Sequence, residues 1–184
     1  MDKFFKTPAV AFLYDLLQYR FPEHKILFDS VKQELQNIIL PDTPPMTSEW
    51  FVQNIHLISD FKDCDNEIII TWNIEKILNT NPKCFTIESH SVKYLLNSYS
   101  KDCPFLEIAN HPFEHKGKYI ILAKTPLTGD SITIIDGNHR VLENLHSPHK
   151  FLKCILLNEK EILEFLQPNS RKLFEIMLYI KQFI

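Results

Sequence analysis

Five residues, Asp136-Gly137-Asn138-His139-Arg140, constrain the local geometry of this chain more than any other stretch. The run before them, Ser131-Ile132-Thr133-Ile134-Ile135, is rich in β-branched residues and favours a strand. Val141-Leu142-Glu143-Asn144-Leu145 follows and can continue as a helix. Strand, glycine turn and helix start, in that order, make a natural place for an anion. The first N–H groups of a helix lack partners within it, and its dipole favours negative charge there. Gly137 permits a tight turn or a close approach of backbone to ligand. His139 and Arg140 add donors, and an arginine can grip a phosphate through two parallel bonds. The chain has only three glycines, so one placed here points to a demanding turn. The plainer alternative is an ordinary Asp-Gly turn with Asn138 as a helix cap.

With 184 residues, 45% of them hydrophobic, and fourteen phenylalanines, the chain can bury a real core in one domain or one domain with an appendage. A net charge of −3 argues against a general nucleic-acid binder, although a local basic patch is compatible with it. Cys64, Cys84, Cys103 and Cys154 are widely spaced with no C-x-x-C pair, which fits neither a zinc ribbon nor a disulfide framework. The N-terminus lacks the apolar core of a signal peptide, and no run approaches the length of a membrane span. The expectation is a cytoplasmic protein with reduced thiols and no membrane contact.

Thr7-Pro8 predicts a helix start, with Val10, Leu13, Tyr14, Leu16 and Leu17 as a helical stripe. A second helix is predicted over about 26–40, with Leu27, Val31, Leu35 and Ile38 on one face. The aromatic residues of this region read as packing residues. Pro41 to Pro45 is a stiff break, and Thr47 opens a third predicted helix with Phe51, Ile55 and Ile58 inward. Glu67 to Trp72 is strand-like, and a short helix runs on to Asn79. From there the pattern is mixed. A strand at Cys84–Ile87 leads to a helix capped by Ser89 or Ser91 and carrying Val92, Leu95 and Leu96. Tyr119–Ala123 and Ser131–Ile135 form a hairpin around Thr128-Gly129-Asp130. The helix after Arg140 ends near Ser147-Pro148, and Phe151–Leu157 is a strand. Two tail helices split at Pro168, the last capped by Asn169 or Ser170 and carrying Leu173, Ile176, Met177 and Ile180. The predicted class is α+β: a helical extension over 1–80, then a small mixed sheet with C-terminal helices over 81–184.

Between Cys84 and Leu157, the order strand, helix, hairpin, DGNHR, helix and strand resembles the ParB/sulfiredoxin superfamily. Members carry a G-x-H-R type signature at a helix start, after an apolar strand. Residues 1–80 carry no such resemblance. The resemblance implies a nucleoside triphosphate or diphosphate with Mg²⁺ as ligand. It makes Gly137, Asn138, His139 and Arg140 the phosphate contacts, with Asp136 shaping the turn or facing a metal–phosphate cluster. Sulfiredoxins need a cysteine immediately before the His-Arg pair; Asn138 stands there, so sulfinic-acid repair is excluded. Chromosome-partition members carry a helix-turn-helix domain downstream, and the chain after Leu157 is short for one.

The remaining branch resembles free-serine kinases, which pair the phosphate site with a glutamate base. It implies a phosphotransferase acting on a small hydroxyl-bearing molecule. Phosphoryl transfer needs a clamp on developing charge and a group that orients the acceptor hydroxyl. His139 and Arg140 would serve the first. Glu88, at the end of a strand before a predicted helix at Ser89–Ser98, is the positional candidate for the second. Its plainer reading is a solvated first-turn residue. The alternatives are a non-catalytic nucleotide-binding or interaction module, and a ParB-like nuclease or DNA-associated factor.

His111-Pro112-Phe113 begins like a Fic motif, but Glu114-His115-Lys116-Gly117 replaces the Gly-Asn-x-Arg that should follow. His111 and His115 have metal-compatible spacing for a helix, yet Pro112 and Gly117 oppose a helix there. His146 and His149 flank Pro148 in the same way, so no metal site is predicted.

Overall fold

The computed structural model describes residues 5–41, 50–57, 66–97, 118–126 and 132–184. The chain is α+β and divides into two compact units, 1–73 with 166–184, and 74–165. The C-terminal helix therefore groups with the N-terminal helices, and the chain passes between units after Asn73 and after Phe165.

In the first unit, α1 (Pro8–Arg20) opens with Pro8 at its first turn, where a missing N–H costs nothing. Eight of its residues are buried, from Ala9 to Leu17, on almost every side. The sequence suggested one apolar stripe; a helix apolar all round is instead an interior helix. Thr7 stands at the cap position, but its hydroxyl serves a distant segment. It donates to the Ile38 carbonyl (2.9 Å) and accepts from the Leu40 N–H (3.0 Å). Helix α2 (Lys25–Gln36) buries only Phe28, Val31 and Leu35, the stripe expected of an amphipathic helix. Tyr14 donates to Asp29 Oδ1 at 2.8 Å and links the two helices.

Strands β1 (Trp50–Leu57) and β2 (Asn66–Asn73) pair antiparallel from Trp50↔Asn73 to Leu57↔Asn66. This corrects the helix predicted from Thr47. Phe51 and Ile55 are four apart, a spacing that fits the helical period and the strand period alike. The Trp, Phe, Val and Ile content of 50–57, together with a β-branched partner strand, decides for the strand. Ile68, Ile70 and Trp72 alternate into the interior, and Trp72 meets Phe174 edge-on at 6.1 Å. Phe174 belongs to α6 (Pro168–Lys181), which also buries Leu173, Ile176, Met177 and Ile180. Neither Asn169 nor Ser170 caps α6, whose cap is Gln167. Ser170 is buried, and its hydroxyl oxygen accepts from the Thr71 N–H at 3.3 Å.

The second unit begins with α3 (Ile74–Asn79). Cys84, expected in a strand, lies in a 3₁₀ turn, Pro82–Cys84, where the Asn81 side chain accepts the Lys83 N–H at 3.0 Å. Strand β3 (Thr86–Ser91) then leads into α4 (Val92–Asn97). Strands β4 (Ile120–Lys124) and β5 (Ile132–Asp136), helix α5 (Asn138–Leu142) and strand β6 (Phe151–Leu157) follow. The sheet order is β3-β6-β4-β5. β6 lies parallel to β4 and the outer pairs are antiparallel, so the sheet is mixed. The first of the predicted tail helices is a 3₁₀ turn, Glu161–Phe165.

One face of this sheet is sealed by α4 and α5. Val92 and Leu95 from α4 and Val141 from α5 pack on Ile120, Leu122, Ile134 and Cys154. Burying a side chain of this kind contributes about 1.5–3 kcal/mol. The start of α4 is closed by the chain: Val92 N–H donates to Lys150 O, Lys93 N–H to Pro148 O, and Tyr94 N–H to Ser91 Oγ. Ser91, one of two caps the sequence offered, is the cap used. The loop before β6 thereby fixes the junction of β3 and α4.

Candidate functional site

The Gly137 turn is built by three features. The first is a bulge in the β4–β5 ladder: Ile121 pairs with Asp136, but Leu122 pairs with Ile134, leaving Ile135 as an extra residue. A bulge at a strand end turns the chain and re-aims the side chains after it. The second is Gly137 itself, with φ +97° and ψ 13°, the one positive-φ residue among those described. The third is crowding. A Cβ on residue 137 would stand 2.6 Å from Ile120 Cδ1, 2.7 Å from Arg140 Nη2 and 3.1 Å from the Ile120 Cα. Glycine is required here twice over, by backbone conformation and by the approach of β4.

Gly137 is also the cap of α5, and its carbonyl accepts the Val141 N–H at 3.2 Å. Asn138 is the first residue of the helix and not its cap. α5 is only five residues long, so its dipole is short and side-chain charge must dominate any anion site here. That charge comes from Arg140. Its guanidinium folds back across Gly137, is 15% exposed, and places Nη2 3.3 Å from Asp136 Oδ2, one turn earlier. Burial pushes its pKa below the ordinary arginine value. Asp136 first, then Cys154 and Glu143, act the other way. An arginine so placed stays charged at neutral pH. The Arg140 carbonyl accepts from Asn144 Nδ2 (2.6 Å), and Asn144 Oδ1 from Lys150 Nζ (2.6 Å), tying the end of α5 to the loop before β6. His139 is partly buried beside Arg140. Neighbours along a helix point about 100° apart, so the two do not share one face.

Glu88 lies in the middle of β3, not at a strand end, because the strand runs on to Ser91. It stands opposite Cys154 on β6, and Cys154 stands beside Ile120 on β4. Cross-strand neighbours share a face, so Glu88, Cys154 and Ile120 form a row that ends against Gly137. Burial pushes the Cys154 thiol up to about 11. The His90 N–H lowers it, the Glu88 carboxylate raises it and Arg140 lowers it. The charges of Glu88 and Arg140 thus meet at one buried sulfur.

His90, a residue the sequence reading passed over, completes the row. Its Nε2 is 2.7 Å from Glu88 Oε2, and its ring stacks on Tyr94 at 4.5 Å between centroids, 15° from parallel. The available signal was Glu88-x-His90: two residues apart on a strand, the pair necessarily shares a face.

The other histidines add nothing comparable. His146 and His149 are exposed in turns, and His111 and His115 lie outside the described residues, as does Thr128-Gly129-Asp130. Among the described residues, no three His, Cys, Asp or Glu side chains could hold a metal ion, and no helix is long and apolar enough to cross a membrane. A cavity of about 600 Å³ in the first unit lies between α2 and α6. Its charged groups are already engaged, Lys172 with Glu34 (3.7 Å) and Glu175 with Arg171 (2.8 Å). The chain matches no family model, no curated protein and no solved structure.

Proposed function

We propose that the Gly137 turn binds the phosphates of a nucleotide, and that the unit 74–165 is a divergent ParB/sulfiredoxin-like domain acting as a phosphotransferase. The observation that carries this reading is the joint geometry of Gly137 and Arg140. The missing side chain leaves its place to a guanidinium held at the turn, 15% exposed, beside the carboxylate of Asp136. A desolvated arginine fixed by backbone geometry suits a planar phosphate group, because its donors are already oriented before the ligand arrives. The order of elements around the turn, from β3 to β6, supports the family reading.

Gly137, Asn138, His139 and Arg140 are the assigned phosphate contacts. Mg²⁺ accompanies the nucleotide in this reading. Such ions are usually held by phosphates and one or two carboxylates, and Asp136 supplies one at the turn. One carboxylate at the turn fits an ion carried in by the nucleotide.

A thermal-shift screen with ATP, ADP, CTP and GTP, each with Mg²⁺, tests the proposal. At least one nucleotide is expected to raise the melting temperature through selective binding to the folded state. No response to any of them would remove both the nucleotide and the phosphotransferase readings.

A further inference from the structure

We propose that His90 is the proton acceptor of this site, a catalytic base that Glu88 positions. The inference rests on the phosphate reading of the Gly137 turn and deepens it. Glu88 Oε2 lies 2.7 Å from His90 Nε2, and Tyr94 stacks on the ring, so carboxylate and phenol fix the imidazole on two sides. A carboxylate bonded to one ring nitrogen selects the tautomer that leaves the other as an acceptor. With Nε2 donating to Glu88, that acceptor is Nδ1.

The pair is also correctly placed. His90 and Glu88 are two apart on β3 and share the face on which Arg140 lies near Cys154. Glu88 and Ile120 are two strand spacings apart through Cys154, about 10 Å between backbones. The base and the phosphate clamp thus lie at opposite ends of one row, and the acceptor hydroxyl would meet the base at the partly exposed edge of β3, where His90 and Glu88 reach solvent. The titratable groups against the His90 ring are Glu88 on its own strand and Tyr94 on α4; Leu152 is its partner on β6, and it is the His90 backbone N–H that bonds the Cys154 sulfur. His90 side-chain exposure is 19%, enough for a small acceptor to reach it and low enough to hold its orientation.

The step balances without further reagents. Nδ1 of His90 takes the hydroxyl proton, and the acceptor oxygen bonds to the terminal phosphorus of a nucleoside triphosphate. The bond from that phosphorus to the bridging oxygen breaks, and the nucleoside diphosphate leaves with the electron pair. His90 then returns its proton to solvent.

The test uses the full chain with Mg·ATP and Mg·CTP as probes, and with water and glycerol as acceptors. Product formation is followed across the range in which histidine titrates. His90→Gln is expected to lower kcat by about a hundredfold or more, the usual scale for losing a general base, and to abolish the rise of rate with pH. Nucleotide Kd should stay within about twofold, since the base does not bind phosphate. Glu88→Gln should lower kcat by about tenfold while nucleotide Kd stays within about twofold, because the ring loses the partner that selects its tautomer. Unchanged kcat in His90→Gln, unchanged kcat in Glu88→Gln, or nucleotide binding by the parent without turnover would each overturn the base and leave the phosphate site standing. Absence of nucleotide binding by the parent would overturn both.

Discussion

The guanidinium of Arg140 occupies the space into which any side chain at Gly137 would grow, with Nη2 2.7 Å from the Cβ position. Gly137→Ala therefore acts on the backbone and on Arg140 together. A non-glycine residue in the left-handed region costs about 1–2 kcal/mol. The crowded Ile120 Cδ1 and Arg140 Nη2 are ends of flexible side chains and can swing away, whereas the Ile120 Cα at 3.1 Å cannot. The predicted result is a folded protein destabilised by about 1–3 kcal/mol in urea titration, with nucleotide affinity reduced by about tenfold or more. Unchanged stability would contradict the strain, and unchanged affinity would contradict the coupling of turn to guanidinium.

Asp136 competes with phosphate for Arg140, since its Oδ2 already lies 3.3 Å from Nη2. Replacing it by Asn removes the competing charge and a carboxylate that could face Mg²⁺. The prediction is opposite shifts: tighter binding of pyrophosphate in EDTA, by several-fold at low salt, and weaker binding of Mg·nucleotide. Calorimetric titration of the two ligands checks this. Parallel shifts for both ligands would show that Asp136 does neither job.

The buried Cys154 thiol gives the protein an alkaline liability. Its folded-state pKa of about 11 lies above the ordinary 9.0, so the folded chain keeps this proton after the unfolded chain has lost it. The associated stability is complete below about pH 9 and disappears as pH rises towards 11, at about 1.4 kcal/mol per pH unit. Cys154→Ala should flatten this part of the stability curve when both proteins are unfolded in urea from pH 8 to 11. A brief alkylation mapped by mass spectrometry should modify Cys84, which is exposed, before Cys154.

Thr7 holds together the two ends of the first helical pair. Thr7→Val keeps the shape but leaves the buried Leu40 N–H and the Ile38 carbonyl without their side-chain partner. A loss of about 2–3 kcal/mol is expected in urea denaturation, with Thr7→Ser close to the parent. A larger loss in Thr7→Ser than in Thr7→Val would place the effect in the methyl group instead.

Strong, single-period signals were legible in the sequence. The apolar positions of α6, strand β6 and the strand–glycine–helix order at 132–142 are present as read, whereas α2 stops at Gln36, before Ile38, and buries Phe28 in place of Leu27, and α5 stops at Leu142, short of Ser147-Pro148. What the sequence hid was long-range pairing. Residues 50–57 carry a pattern that fits both periods until β2 supplies the ladder. Ser170 looked like a cap because its use, accepting from Thr71, lies 99 residues away. The site was half legible. DGNHR marked the turn, whereas the bulge at Ile121–Leu122, the approach of Ile120 and the partnership of Glu88 with His90 depend on strand register. A register is set by partners that a local pattern does not name.

The phosphate site is tested most directly by calorimetric titration of the full chain and of Arg140→Ala with the Mg·nucleotide that most raises the melting temperature. Saturable one-site binding is predicted for the parent. For Arg140→Ala, at least a tenfold loss of affinity, about 1.4 kcal/mol, is predicted while the ligand-free melting temperature stays within a few degrees. Arg140→Ala binding as tightly as the parent, or a parent that binds no nucleotide, would contradict the account.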